Sequence, residues 1–123
     1  TVDLTEFLSV TFPVRHVHGV ETYGMVFNWK GIHIGYIADT RYFEGLEEHY
    51  ALATDLLILN VSAKDKNPYI DHLCALEAEK IIGRIKPKVA ILTHFGRTML
   101  RAKPWEVAKE ISKNTGVNVI AAY

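Results

Sequence analysis

Short apolar runs separated by polar turns dominate the chain and predict a β-sheet. Residues 56–61 and 89–93 are nearly continuous apolar runs, a pattern typical of interior parallel strands that are covered on both faces. Residues 22–29 and 32–38 mix β-branched and aromatic side chains on either side of an Asn-Trp-Lys-Gly turn. This pair of segments therefore predicts a β-hairpin.

Two segments carry apolar residues at helical spacing. The first helix is predicted to follow the capping residue Asp71 and to end before Pro87. The second is predicted to begin near Pro104 and to stop at Gly116. The buried stripes are expected to comprise Cys74, Ala78, Ile81, Ile82 and Ile85 in the first helix, and Val107, Ala108 and Ile111 in the second.

Two further strands complete the predicted order. Residues 10–17, interrupted early by Pro13, precede the hairpin, and residues 117–122 follow the second helix. The polar residues 62–69 are predicted to form an exposed loop. The predicted fold is α/β, a β-hairpin followed by strand-helix-strand-helix-strand, in a single layered unit over residues 1–123. Because strand-like sequence continues to the last residue, we expect both ends of the chain to be cut.

Composition and charge exclude several classes of protein. The chain of 123 residues has the size of one domain, and its 14 basic and 14 acidic residues cancel, so no overall field attracts nucleic acid. A single cysteine, Cys74, excludes a disulfide framework and a cysteine-based zinc finger. No apolar stretch is long enough for a membrane span, and the first ten residues lack a signal-peptide pattern. We therefore expect a soluble, cytoplasmic protein that does not associate with membranes.

Two possible metal ligands each follow an apolar strand. Asp39 follows residues 34–38, and His94 follows residues 89–93. A carboxylate at the end of a sheet strand is able to bridge two cations, and a neutral imidazole there is a good zinc ligand. The alternatives, a turn-forming aspartate and a histidine bonded to a main-chain carbonyl, stay open at this point.

Three more histidines bear on such a site. His16 and His18 alternate along the predicted strand as a His-x-His pair, in which we predict His18 as the ligand and His16 as its neighbour. His72 is predicted in the first turn of the first helix, where free N–H groups favour an anion such as phosphate. A histidine there is able to protonate a leaving oxygen. The alternative is a histidine that is merely exposed at a helix start.

Other polar side chains are assigned simpler roles. Cys74 is predicted to be a buried thiol rather than a nucleophile, and His33 and His49 are predicted at the surface. Three arginines are either solvated charges or clamps for a substrate phosphate, namely Arg41, Arg97 and Arg101.

The motifs together resemble a known family. The segments His18-Gly19-Val20-Glu21-Thr22-Tyr23-Gly24, Asp39-Thr40-Arg41, His72 and Thr93-His94-Phe95 are similar to the C-terminal half of the metallo-β-lactamase superfamily. The most similar branches are ribonuclease Z and the cyclic phosphodiesterases of phosphonate breakdown. The resemblance covers nearly the whole chain and implies the second half of an αββα sandwich. The family's His-x-His-x-Asp-His block, which precedes this segment and supplies four ligands, is missing from the 123 residues.

The resemblance also implies roles for individual residues. His18 corresponds to a ligand of one zinc ion, Asp39 to the carboxylate that bridges both ions, and His94 to the last ligand of the second. His72 corresponds to the histidine proposed as general acid near the scissile phosphate. The implied cofactor is a pair of zinc ions, with manganese or iron as alternatives, and the implied reaction is attack on phosphorus by a metal-bridging hydroxide.

Three hypotheses about function follow. The favoured one is a fragment of a binuclear zinc-dependent hydrolase that cleaves a small-molecule or nucleotide phosphodiester, with little activity in this segment alone. We expect a homo-oligomer or association with the missing N-terminal half, because the sheet face meant for that half is left uncovered. The alternatives are a non-catalytic half-domain that self-associates as a scaffold, and a hydrolase of thioesters or other esters.

Overall fold

One mixed sheet forms the centre of the molecule. The computed structural model describes residues 1–53 and 55–123, with the main chain alone described for residues 11–13. The strands are β1 (Val2–Asp3), β2 (Leu8–Arg15), β3 (Tyr23–Trp29), β4 (Ile32–Ile37), β5 (Leu56–Ala63), β6 (Leu73–Cys74), β7 (Val89–Thr93) and β8 (Asn118–Ala121). The helices are α1 (Ala75–Ile85), α2 (Arg97–Arg101), α3 (Pro104–Thr115) and a 3-10 helix (Leu46–Tyr50). The sheet order is β1-β2-β3-β4-β5-β7-β8, and β6 pairs with β5 outside this path.

The sheet changes direction at β4. Strands β1 to β4 pair antiparallel, and β4, β5, β7 and β8 pair parallel. The two apolar runs form β5 and β7 in the interior of the parallel half, which confirms the prediction of interior parallel strands, but only one face of each strand is fully buried. The pairing of β2 with β3 shifts between Val10 and Pro13, since proline has no N–H for the ladder.

Helices α1 and α3 cover one face of the sheet. Most of the predicted stripes are buried, including Ile81 and Ile82 of α1 and Ile111 of α3. Ile85 is only partly buried, and Cys74 precedes the helix. The buried side chains join the core with Leu57 and Leu59 of β5. Burying each such side chain stabilises the fold by about 1.5–3 kcal/mol relative to leaving it exposed.

The opposite face is apolar but only half-buried among the described residues. A row of side chains crosses five strands in register, from Met25 through Tyr36, Ile58 and Ile91 to Ile120. The first four are partly exposed, and Ile120 is 47% exposed. The expected apolar face without cover is therefore present.

The start of α1 differs from the sequence expectation. Leu73 and Cys74 first pair with β5 as β6, and the helix begins at Ala75, with Glu77 accepting a hydrogen bond from the Cys74 N–H at 3.0 Å. The prediction that His72 occupies the first turn of a helix is therefore wrong. His72 lies in the loop before β6, three residues before the first residue of the helix.

The predicted loop over residues 62–69 also begins too early. Strand β5 continues to Ala63, because the Ala63 main chain pairs with β6. Three short elements have no periodic signal in the sequence and were not predicted, namely β1, the 3-10 helix and α2.

A buried polar cluster anchors the 3-10 helix to the antiparallel strands. His16 Nε2 lies 2.8 Å from the Tyr50 hydroxyl oxygen, and this hydroxyl donates to the Tyr36 carbonyl at 3.0 Å. His16 Nε2–H must therefore be the donor to Tyr50. Gly24 is needed beside them, because a Cβ there would lie 1.8 Å from the Tyr50 hydroxyl and 2.5 Å from the Tyr36 carbonyl oxygen.

His16 is expected to make stability depend on pH. Burial lowers the pKa of His16 to about 4, although nearby Asp39 acts in the opposite direction. As the pH falls from 6.5 to 4 the unfolded chain is protonated first, so the free energy of unfolding decreases by about 3 kcal/mol from this residue. Denaturant unfolding at pH 7 and pH 4 measures the decrease.

The test variant is His16→Gln. The control is His49→Gln, because the His49 side chain is exposed. Between pH 7 and pH 4 we expect the free energy of unfolding of His49→Gln to decrease as much as that of the wild type. The decrease should be smaller in His16→Gln, because the contribution of His16 is absent. An equal decrease in His16→Gln and in the wild type contradicts the assignment.

Candidate metal centre

The carboxyl ends of three parallel strands assemble the site. Asp39 lies two residues beyond β4 and His94 directly follows β7, while β5 runs between them. Ile37 of β4 pairs with Leu59 of β5, and Asn60 pairs with Thr93 of β7. The register therefore brings the two residues that follow the strands to one edge of the sheet.

Three imidazoles converge on the Asp39 carboxylate. His94 Nε2 lies 3.3 Å and His72 Nδ1 3.9 Å from Oδ1, and His18 Nε2 lies 4.0 Å from Oδ2. The His72 ring is 5.1 Å from the His18 ring and 6.0 Å from the His94 ring, measured between centroids. The structure thus brings together all four predicted site residues.

His18 is oriented by the loop that carries His72. Its Nδ1 lies 3.0 Å from the Asp71 carbonyl oxygen, so Nδ1–H donates and the lone pair of Nε2 faces Asp39. This is the tautomer that a histidine needs in order to bind a metal through Nε2. His16 and His18 do not alternate along one strand as predicted, because β2 ends at Arg15.

Thr40 ties the His18 segment to the Asp39 segment. Its fully buried hydroxyl accepts from the Val17 N–H at 2.9 Å and donates to the Arg41 carbonyl at 2.7 Å. The Arg41 N–H in turn donates to the Val17 carbonyl at 2.9 Å. These bonds link the segment that carries His18 to the segment that carries Asp39.

His94 adopts an unfavourable main-chain conformation. Its φ is +62°, a left-handed value that costs a non-glycine residue about 1–3 kcal/mol. The next turn is fixed on β5, since the Gly96 N–H donates to the Ser62 carbonyl at 2.9 Å and the Lys64 N–H donates to Thr98 Oγ1 at 2.9 Å. The strained main-chain conformation therefore belongs to the residue whose imidazole enters the site.

The electrostatics favour a neutral His72. Its Nδ1 is buried without a hydrogen-bond partner in the part of the chain that the structure describes. Burial lowers the pKa of His72; Asp39 opposes this, and His18 and His94 lower it further. Neutral imidazole is the form that binds metal ions.

The donor set fits a divalent cation. One ligand atom each from His18, Asp39 and His72 lie within 4.8 Å of one another, and imidazole nitrogens with a carboxylate oxygen are common zinc ligands. The unpartnered Nδ1 of His72 would gain a partner from such an ion. The geometry therefore admits His72 as a ligand, in addition to the proton-donor role that the sequence analysis assigned to it.

Asn60 is a site residue that the sequence analysis missed. Its side-chain amide donates to Asp39 Oδ1 at 2.9 Å, and its residue is 7% exposed. The available signal was an amide side chain inside the apolar run of β5, where an unpaired polar group is costly.

The remaining predictions have mixed outcomes. Cys74 is buried as expected, and His49 is exposed. His33 is only half-exposed, with its Nδ1 3.8 Å from Asp55 Oδ2 at the opposite end of β5. Three arginines are exposed, which leaves both of their predicted roles open, namely Arg41, Arg97 and Arg101.

Fold and site together define a mixed α/β protein with a candidate metal site of histidines and a carboxylate at the sheet edge. The family model for the beta-lactamase superfamily domain matches residues 1–95. The chain is 32% identical to uncharacterized protein MJ1374 of Methanocaldococcus jannaschii over 124 residues, covering 98% of this chain and 46% of the relative. The chain belongs to the metallo-β-lactamase superfamily, a family of metal-dependent hydrolases.

Solved structures have the same fold. The metallo-beta-lactamase fold protein YhfI of Bacillus subtilis superposes with a TM-score of 0.78 at 23% identity, over 94% of this chain and 46% of YhfI. A diphosphatase from the PhnP family has a TM-score of 0.69 at 18% identity, over 100% and 43% of the two chains. The short form of human tRNase Z has a TM-score of 0.68 at 21% identity, over 96% and 41%.

Two further findings concern the extent of the match and the character of the helices. The chain spans about half the length of the relatives that it matches, with 46% of MJ1374 and 46% of YhfI covered. Within the described residues, no helix combines the length and apolar character needed to cross a membrane.

The close approach of Gly96 to Ser62 is expected to control His94. A Cβ at Gly96 would lie 2.7 Å from the Ser62 carbonyl oxygen, so Gly96→Ala must displace the turn that orients the imidazole. We expect the affinity for zinc to fall about tenfold or more, as for lost support of a metal ligand. Calorimetric titration measures the affinity.

Gly83→Ala in α1 is the matched control, because its Cβ would meet only Thr115 at an ordinary 3.6 Å. It is expected to leave zinc affinity unchanged. Wild-type affinity in Gly96→Ala would show that this turn does not position His94.

Proposed function

We propose that the full-length protein is a metal-dependent hydrolase of phosphodiesters. The observation that carries the proposal is the convergence of three imidazoles on the Asp39 carboxylate, with all four side chains between 21% and 52% exposed. Such partial exposure leaves room for a substrate to approach donors that the fold already holds in place.

Each residue has a task in this proposal. When bound, divalent cations supply Lewis-acid polarisation of a phosphoryl oxygen and lower the pKa of water. His18 and His94 present Nε2 to opposite oxygens of Asp39, so the carboxylate is able to serve two ions. Zinc suits these ligands, and manganese and iron are the alternatives.

The phosphodiester assignment rests on His72 and on the relatives. The support expected from a helix terminus is gone, because His72 lies before β6. An alkoxide leaving from phosphorus needs a proton, whereas a thiolate leaving from a thioester needs little help. To supply this proton His72 must be protonated, so in this proposal Asp39 and an anionic substrate offset the burial that lowers the pKa of His72. A third imidazole beside the carboxylate then favours phosphodiesters over thioesters. The likeness to a diphosphatase and to human tRNase Z supports the same choice.

The remaining metal ligands belong to the proposal as well. We assign them to a His-x-His-x-Asp-His block in an N-terminal half whose sheet packs on the half-buried row from Met25 to Ile120. The same row of half-buried side chains also supports an alternative function. This alternative is a scaffold, in which a second copy of the chain covers the apolar face.

Asp39→Asn is expected to abolish zinc-dependent cleavage of bis(p-nitrophenyl) phosphate by the full-length protein. An amide keeps one oxygen but loses the negative charge and the second ligand atom, so the rate should fall by about a hundredfold or more. A colorimetric assay with and without chelator measures the loss. Asp65→Asn is the control, because the Asp65 side chain is 91% exposed.

Other outcomes select among the hypotheses. Full activity in Asp39→Asn contradicts the metal-site proposal. Zinc-indifferent protein that self-associates with concentration in analytical ultracentrifugation favours the scaffold. Cleavage of thioesters without cleavage of phosphodiesters favours the ester hydrolase.

His72→Ala separates the proton donor from the ligand. As a donor, His72 is expected to matter about 10²- to 10⁴-fold for a phosphodiester with an alkoxide leaving group, and far less for a nitrophenolate. Zinc affinity should then be unchanged. Equal losses on both substrates together with weaker zinc binding would instead identify His72 as a ligand, and His49→Ala serves as the exposed-histidine control.

A further inference from the structure

Asn60 occupies a place in the sheet that binds it to the metal centre. It lies on β5 between β4 and β7, in register with Thr93, the residue before His94. Its neighbour Leu59 pairs with Ile37, two residues before Asp39. The amide is therefore carried by the strand that separates the two proposed ligands.

The orientation of the amide is determined by its partners. Asn60 Nδ2 lies 2.9 Å from Asp39 Oδ1 and 3.2 Å from the Tyr36 hydroxyl oxygen. The Tyr36 hydroxyl also lies 3.4 Å from Asn60 Oδ1. A flipped amide would direct its oxygen at the carboxylate, so only the NH₂ group is able to face Asp39.

The hydrogen bond leaves the carboxylate free to bind cations. An ionised carboxylate has two oxygens and about four lone-pair positions, and Asn60 uses one position on Oδ1. A hydrogen bond from a neutral donor to a charged acceptor is stronger than one between neutral groups. The bond fixes the plane of the carboxylate without adding charge that would compete with a metal ion.

We propose that Asn60 is a positioning residue, whose amide holds the Asp39 carboxylate in the orientation required for metal binding. This inference rests on the proposed role of Asp39 as a metal ligand. It does not depend on the identity of the substrate, so a protein that binds zinc but cleaves no phosphodiester leaves it standing.

The test compares three variants of the full-length protein. Asn60→Leu keeps the branched shape of the side chain and removes the donor, and Asn60→Ala serves if the leucine variant does not fold by circular dichroism. Tyr36→Phe is the matched control, because it removes the other partner of Asn60 and leaves the bond to Asp39 intact. Calorimetric titration with zinc alone and with manganese alone gives the affinities.

We expect the Asn60 variants to lose about ten- to a hundredfold in affinity for both metals, the range seen when a group that orients a ligand is removed. Tyr36→Phe should retain wild-type affinity. The rise in unfolding temperature on zinc saturation should shrink in the Asn60 variants, a readout that a purely structural defect does not alter.

Two results overturn the inference. Wild-type affinity in a folded Asn60 variant shows that the amide does not position Asp39, while the proposed function stands. Absence of metal binding in the wild-type protein removes Asp39 as a ligand and overturns both proposals together.

Discussion

Parallel pairing of β4, β5 and β7 is the constraint on which the site depends. The ladder fixes where each strand ends relative to its neighbours, and parallel strands direct all their carboxyl ends to one edge. Asp39, Asn60 and His94 meet there, although up to 55 positions of sequence separate them. A shift of one residue in either ladder would turn the strand's side chains to the opposite face.

Main-chain bonds then convert this edge into a site of defined geometry. The Asp71 carbonyl selects the tautomer of His18, and the Thr40 hydroxyl ties the His18 segment to the Asp39 segment. The hydrogen bond from the Gly96 N–H to the Ser62 carbonyl fixes the turn after His94, although His94 has a positive φ. Main-chain strain is concentrated at His94, and the surrounding hydrogen bonds offset it, as is typical of functional sites.

The two faces of the sheet have different roles. The face under α1 and α3 is a closed core with fully buried Leu57, Leu59 and Leu92. The other face carries an equally apolar but half-exposed row from Met25 to Ile120. Apolar area of this kind is what a second layer buries in a sandwich, and the chain spans only 46% of the length of MJ1374. The half-exposed face and the proposed metal site lie on the same parallel strands.

The sequence by itself determined the local elements and the candidate ligands. Apolar runs predicted β5 and β7, because such runs satisfy strands buried on both faces, and helical spacing predicted α1 and α3. His18, Asp39, His72 and His94 were all named from their positions at the ends of elements. Tertiary pairing decided the rest. Leu73 and Cys74 pair with β5 as β6, so α1 begins only at Ala75 and His72 lies in a loop. The hydrogen bond from Asn60 to Asp39 joins residues 21 positions apart, and the bond that selects the His18 tautomer joins residues 53 positions apart. Local sequence carries no signal over such separations.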